Sequence, residues 1–197
     1  MGSLHEFVFF GYKRAVKITL VADTRMERPH PTDSGYNTRR NREREGMAVY
    51  TSFLVKWILE RPAQRLSMTE HALRLQRTGE KIERHLDAVS ETVRNRIVLR
   101  HLIGIERWGQ RRLGVALAEP LVLDEYDDYR PDKSMAWEDM KELFVTTRNE
   151  TVALARKLES VVMPDMTIPH NSYGNLTLRG WLRFLDLHAR WENRKIK

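Results

Sequence analysis

Hydrophobic residues recur at helical spacing through most of the chain after residue 66. Four long segments each carry an apolar stripe at i, i+3, i+4 and i+7, which is typical of an amphipathic helix. The stripes include Leu75, Ile82 and Leu86; Ile97, Leu102, Ile105 and Trp108; Trp137, Met140 and Phe144; and Trp181, Leu182, Leu185 and Ala189. Four such helices with two long connections predict an all-α fold, a four-helix bundle over residues 67–197.

Capping residues indicate where these helices begin. Ser67 and Glu70 have the S-x-x-E spacing of a capping box, which places the start of the first long helix. Ser90, Ser134 and Thr177 are the predicted N-caps of the other three helices.

Residues 1–66 are predicted to form an N-terminal extension. A short strand is predicted over residues 16–21, and residues 28–46, which hold the run NTRRNREREG, have no hydrophobic period and predict disorder. Residues 48–60 predict an amphipathic helix that Pro62 ends. This helix is expected to pack on the bundle or on a second subunit rather than on a membrane, because its polar face is poor in Lys and Arg.

The composition excludes several classes of function. The chain has 197 residues and no Cys, so disulfides, thiolate nucleophiles and Cys-based zinc sites are excluded. No apolar run is long enough to span a membrane, and the N-terminus lacks the features of a signal peptide, so we expect a cytoplasmic protein.

The formal net charge of +7 permits binding to polyanions but does not require it. The main candidate is the run Arg39, Arg40, Arg42 and Arg44, in which Glu43 and Glu45 offset part of the attraction to phosphate. The run also contains no aromatic residue to stack on bases. We therefore do not expect nucleic acid as a partner.

Three polar residues fall on the apolar faces of two predicted helices and form the candidate site. His188 and Glu192 are four residues apart, so they lie one above the other on the fourth helix, and His101 faces inward from the second helix. A buried carboxylate needs a cation or a hydrogen-bond donor, and two His with one Glu is a known zinc ligand set. The alternative is that Glu192 reaches solvent or a nearby cation such as Lys195.

Four other polar residues are candidates for roles around this site. Glu106 is expected to be solvated or to pair with an Arg on another helix, and Arg112 is expected either to bind an anionic substrate or to keep its head in water. His170 and Tyr173, in the loop before the fourth helix, are expected to pack in that loop or to contact a substrate.

Three stretches carry a resemblance to a known family. They are RIVLRHLIGIERWGQRRL, then DEYDDYRPDKSMAWEDMKELFVTTRNETVALARKL, then GNLTLRGWLRFLDLHARWENRKI. The chain resembles the DinB/YfiT-like superfamily over about residues 68–197, most specifically in the His of the second helix, the Tyr-Arg-Pro before the third and the Leu-Thr…Trp-Leu…His ending.

The resemblance implies an up-down-down-up bundle and a divalent metal, zinc or nickel, bound by three His. The ligand on the second helix corresponds to His101 and the first ligand on the fourth helix to His188, whereas the second falls on Glu192, which is not His. Some members of the family resemble thiol S-transferases or hydrolases that act on small molecules with an external low-molecular-weight thiol, such as bacillithiol or mycothiol. The absence of Cys means that any thiol comes from outside the chain.

A second hypothesis is a non-catalytic helical bundle that dimerises or binds a partner and has lost its metal site. A homodimer is expected on either hypothesis, because Phe53 and Trp57 add apolar surface to the bundle faces.

Overall fold

The structure is a computed structural model that describes residues 6–11, 14–19, 55–161 and 166–197. The contacts divide the chain into two compact units, Met1–Glu43 and Arg44–Lys197. The predicted disorder of residues 28–46 and the first part of the predicted helix over 48–60 lie outside the described residues.

The first unit contains an antiparallel pair of strands. Strand β1 (Glu6–Gly11) pairs with β2 (Arg14–Thr19), with Glu6 opposite Thr19 and Gly11 opposite Arg14. The predicted strand at residues 16–21 overlaps β2, which begins two residues earlier.

The second unit is largely helical. A π-helical turn (Lys56–Glu60) leads into α1 (Arg61–Gln64), and four long helices follow: α2 (Met68–Ala88), α3 (Val93–Leu113), α4 (Trp137–Lys157) and α5 (Leu178–Asn193). Helix α2 packs on α4 and α5, and α3 packs on the same two helices. None of the helices described is both long enough and apolar enough to cross a bilayer.

The apolar stripes meet in two clusters of buried side chains. One is built around Trp108 and Trp181, and the other around Leu102, Met140 and Phe144; all five are at most 1% exposed. Burial of such side chains is the main favourable term that holds the helices together. One position of the predicted stripes is wrong: Ile97 is 58% exposed, because Val98 and Leu99 face the core at that turn of α3 instead.

Two predicted helix starts are confirmed and two are wrong. Ser67 and Glu70 form the capping box of α2, and the Thr177 hydroxyl accepts a hydrogen bond from the N–H of Gly180 at the start of α5. Helix α3 is capped by Thr92 rather than Ser90. Helix α4 begins after Ala136, while Ser134 instead donates its hydroxyl proton to Asp132.

Pro62 does not end the preceding helix as predicted. It lies in the first turn of α1, where a missing N–H leaves no helical hydrogen bond unmade. The π-helical turn runs directly into α1, and the helical path continues to Gln64.

The connection between α4 and α5 contains a small hairpin that the hydrophobic pattern does not predict. Strand β3 (Thr167–His170) pairs antiparallel with β4 (Gly174–Thr177), with His170 opposite Gly174. Gly174 has a φ of 70°, a left-handed conformation that glycine adopts without strain. The fold is therefore largely helical rather than purely all-α.

Candidate metal centre

Helices α3 and α5 bring the three predicted residues to one point. His101, His188 and Glu192 each offer a ligand atom, and these three atoms all lie within 4.8 Å of one another. His188 and Glu192 are buried, whereas His101 is half-buried. The three residues therefore converge as predicted. His101 is more exposed than predicted, because the face of α3 that carries Ile97 points to solvent rather than to the core.

The two imidazoles face each other through their Nε2 atoms. These atoms are 3.2 Å apart, and the ring centroids are 5.1 Å apart. Two nitrogens that are each about 2.0–2.1 Å from a tetrahedral zinc ion lie about 3.3 Å from each other. The spacing of the two nitrogens therefore matches that of a shared ion, and also that of a hydrogen bond between two neutral rings.

Glu192 does not reach solvent. The residue is 4% exposed. Its Oε1 atom lies 3.9 Å from His188 Nε2 and 2.6 Å from Lys195 Nζ. The carboxylate therefore has a cationic partner one turn along the chain, as the alternative interpretation of the sequence expected. It is also close enough to the imidazoles to belong to the same polar cluster.

Arg130, which is not among the residues predicted for the site, contacts the other side of His101. Its Nη2 lies 3.3 Å from His101 Nδ1, and the same atom lies 2.7 Å from Asp127 Oδ1. Because a guanidinium only donates, Nδ1 must accept, and the ring proton of His101 then lies on Nε2, facing His188. The signal was present in the sequence, since Arg130 is the central residue of the Tyr-Arg-Pro motif.

Burial governs the protonation of His188. Removal from water lowers the pKa of His188 well below its usual value, and the nearby His101 and Lys195 lower it further. The ring is therefore neutral, as a metal-ligating imidazole must be.

Aromatic rings surround the cluster. Tyr126 lies edge-on to His101 at 5.2 Å between centroids, and Phe184 lies 5.6 Å from His188. Phe184 in turn contacts His170, which stacks on Tyr173 at 4.5 Å. Burial, followed by the charge of Arg112, lowers the pKa of His170 to about 3, and burial raises that of Tyr173 to about 12.

The other candidate residues lie apart from the three ligands. Glu106 pairs with Arg148 of α4 at 3.0 Å, so its expected role as an interhelical partner is confirmed. The head of Arg112 is not in water: the residue is 0% exposed and donates to the Asp124 carbonyl and to Asn171. Arg112 instead holds two loops together.

The chain was compared with protein-family models, with curated proteins and with solved structures, and none of the three comparisons finds a match.

Proposed function

We propose that this chain is a metal-binding helical protein whose centre, His101, His188 and Glu192, holds one divalent transition-metal ion. The observation that carries the proposal is the convergence of two imidazoles and a carboxylate from two helices within 4.8 Å. Two His and one Glu form a known zinc ligand set, and imidazole also suits nickel.

The donor set fits such an ion on chemical grounds. The Nε2 atoms of His101 and His188 have the spacing of neighbouring ligands, and Glu192 supplies the negative charge that a divalent cation favours. Two existing contacts oppose binding: Lys195 occupies one carboxylate oxygen, and Arg130 fixes the His101 proton on the nitrogen that would ligate. Metal binding therefore requires Arg130 to release Nδ1 so that the proton can reside there.

We also propose that the four long helices form the up-down-down-up bundle of the DinB/YfiT-like superfamily. Its support is the order of four long helices, the two long connections around α4, and the motifs quoted above. We propose with it the activity of that family, a metal-dependent thiol S-transferase or hydrolase acting on a small molecule. A divalent ion in this centre would lower the pKa of a bound thiol or water. The rings of Tyr126 and Phe184 lie beside His101 and His188 and give the centre an aromatic border.

Metal content tests the proposal directly. The untagged full chain is loaded with zinc or nickel, dialysed, and analysed by mass spectrometry for metal per chain. About one ion per chain is expected for the unaltered protein, and almost none for His101→Ala. His85→Ala is the matched control, because His85 lies on α2, contacts Asn193 and is not among the three ligands. A metal-free unaltered protein after loading, or full occupancy in His101→Ala, would contradict the proposal.

A second candidate function has its own supporting observation. The 2.6 Å contact between Lys195 and Glu192 neutralises the carboxylate without any metal, as expected of a non-catalytic bundle that dimerises or binds a partner. Glu192→His distinguishes the two candidates, because it supplies a third imidazole. If the centre has lost one ligand, this variant gains metal binding that the unaltered chain lacks. If Glu192 ligates, the unaltered chain already binds metal.

A further inference from the structure

Helices α2 and α5 enclose a groove of about 500 Å³ whose walls are strongly basic. Five cationic side chains line it, and the only carboxylate among the lining residues is that of Asp186. We call this surface the basic groove; its cations are Arg74, Arg77, Lys81, Arg190 and Arg194.

Asp186 offsets little of this charge. It is 6% exposed, accepts a hydrogen bond of 2.5 Å from the Thr78 hydroxyl, and lies 3.8 Å from Arg190. Across the part of the chain that the structure describes, Arg74, Arg77 and Lys81 have no carboxylate oxygen within the 4.0 Å of a salt bridge. Asp186 is therefore the one counterion among the lining residues, and the five cations exceed it by four positive charges.

The opposite edge of α2 carries negative charge. Glu83 and Asp87 of α2 face Glu138 and Glu142 of α4 across a second groove of about 450 Å³. The one cation in that groove, Lys141, is paired with Asp87 at 3.2 Å and with Glu138 at 2.7 Å. Positive and negative side chains therefore lie on two different edges of α2. On an ordinary solvent-exposed helix face, the two signs alternate.

Arg183, on α5 between Arg179 and Arg190, adds a half-buried cation beside the groove. Its Nε donates to the Ile58 carbonyl at 2.7 Å, and burial together with the charge of Arg74 lowers its pKa. Arg183 and Arg194 are eleven residues apart on or just after one helix, which corresponds to about 16 Å. A row of cations of this length suits a repeating anion better than a single phosphate group.

We propose that the basic groove binds nucleic acid through its phosphodiester backbone, without reading the base sequence. Arg outnumbers Lys among the lining cations, and the planar guanidinium matches phosphate oxygens in pairs. Neutralisation of backbone phosphates by such a groove releases condensed counterions, which supplies sequence-independent affinity. No residue that lines the groove belongs to the run at residues 39–44, on which the expectation against nucleic acid is based, or to the three candidate ligands.

Two other anionic partners are less well matched. A membrane-surface site combines cations with exposed apolar side chains, and the only apolar residue that lines the basic groove, Ile82, is 1% exposed. An acidic protein segment would need buried aromatic or aliphatic anchors for affinity, and the groove offers none.

The test uses the full chain and fluorescent DNA oligonucleotides, single-stranded and duplex, titrated by anisotropy over a series of salt concentrations. The groove variant is Arg77→Gln/Lys81→Gln. The matched control is Arg65→Gln/Lys157→Gln, which removes one Arg and one Lys that are exposed outside the groove. Both variants lower the net charge of +7 by two and keep residues 39–44 intact, so a contribution from that run cancels.

For single-stranded DNA, the groove variant is expected to reduce the slope of log affinity against log salt by about 1.4, at about 0.7 per lost phosphate contact. This corresponds to binding about 25-fold weaker at 0.1 M salt, independent of base sequence. The control is expected to change affinity much less, and far-ultraviolet circular dichroism confirms that both variants remain folded.

Several results would overturn the proposal. In the DNA titration, they are an equal loss of affinity in the two variants, or an unaltered protein that binds neither oligonucleotide. With other anions, they are tighter binding to vesicles of anionic phospholipid than to DNA, or displacement of DNA by polyglutamate at equal charge concentration. Concentration-dependent self-association abolished by the groove variant, with no DNA binding, would instead assign the groove to the acidic edge of a second copy.

Discussion

At the scale of single residues, His170 shows how burial fixes a protonation state. It is 8% exposed, and its Nδ1 accepts a hydrogen bond from the N–H of Ser172. Its pKa of about 3 in the folded protein lies below the ordinary value of 6.5 that holds in the unfolded chain. The folded state therefore favours the neutral ring. This contribution to stability is complete above about pH 6.5 and is lost as the pH falls towards 3.

Replacement of this ring by a phenyl group should remove a defined part of the acid sensitivity. Between pH 7 and pH 5, His170 alone is expected to lower the free energy of unfolding by about 2 kcal/mol, and His170→Phe should lose that share of the decrease. Urea unfolding at the two pH values measures it, with His85→Gln as the control for a half-buried histidine. Equal decreases in the unaltered protein and His170→Phe would show that His170 is protonated in the folded state.

The ion pair of Glu106 and Arg148 gives a second prediction at this scale. Both residues are at most 2% exposed and their charged atoms are 3.0 Å apart; burial raises the pKa of Glu106, and Arg148 opposes that shift. Arg148→Met should cost about 3–5 kcal/mol, because it leaves a buried carboxylate without its partner.

The double variant Glu106→Leu/Arg148→Met should recover most of that stability, because both charges are then gone. Arg156→Met, at an exposed position of the same helix, is the control. Chemical denaturation of the four proteins forms the comparison. A double variant no more stable than Arg148→Met would contradict this expectation, because removal of the unpaired carboxylate would then have restored nothing.

At the scale of secondary-structure elements, the start of α3 offers a matched pair of side chains. Thr92 has extended backbone angles, and its hydroxyl accepts a hydrogen bond from the N–H of Asn95, whereas Ser90 contributes only its backbone carbonyl to Asn95. Thr92→Ala should therefore cost about 1 kcal/mol and Ser90→Ala only a few tenths. Thermal or urea unfolding ranks the two, and a larger loss for Ser90→Ala would reverse the assignment of the cap.

The helices were predictable from sequence where the spacing of hydrophobic residues stays helical over many residues. The stripes of α2 to α5 have this property, and so does the capping box of Ser67 and Glu70. The cap of α3 was placed two residues too early because Ser90 and Thr92 are equally good capping residues, and only the backbone angles distinguish them. The β3–β4 hairpin was missed since each strand has only four residues, too few to establish alternation.

At the scale of the whole molecule, a bound ion would link parts of the chain that are distant in sequence. His101 is on α3, while His188 and Glu192 are on α5, so an ion that they share favours the folded state only. Zinc at about 100 times its dissociation constant should then add about 2.7 kcal/mol to the free energy of unfolding. Thermal unfolding with and without zinc measures the gain, which should vanish in His101→Ala and persist in His85→Ala. A gain in both variants would indicate binding elsewhere.

The candidate site was predictable only in part, for a reason that applies to the whole fold. His188 and Glu192 follow from the one-turn spacing, and His101 from its place beside an apolar stripe. The approach of Arg130 depends on the loop before α4, which has no period, and the burial of Arg112 depends on loops that meet only in the folded chain. The separation of charge between the two edges of α2 likewise appears only once α4 and α5 are in place.

The π-helical turn at Lys56–Glu60 has a consequence for how this chain tolerates changes in length. A turn of this kind accommodates one residue more than an α-helix does, and here it ends on Glu60, whose carboxylate accepts the backbone N–H of Thr177 at 3.0 Å. A chain shortened by one residue within the turn would close into an ordinary α-helical turn, so Glu60 and Val55 would keep their directions around the helix axis. Val55 would stay buried, so at this point of the molecule a single deletion acts as a change of length rather than of direction.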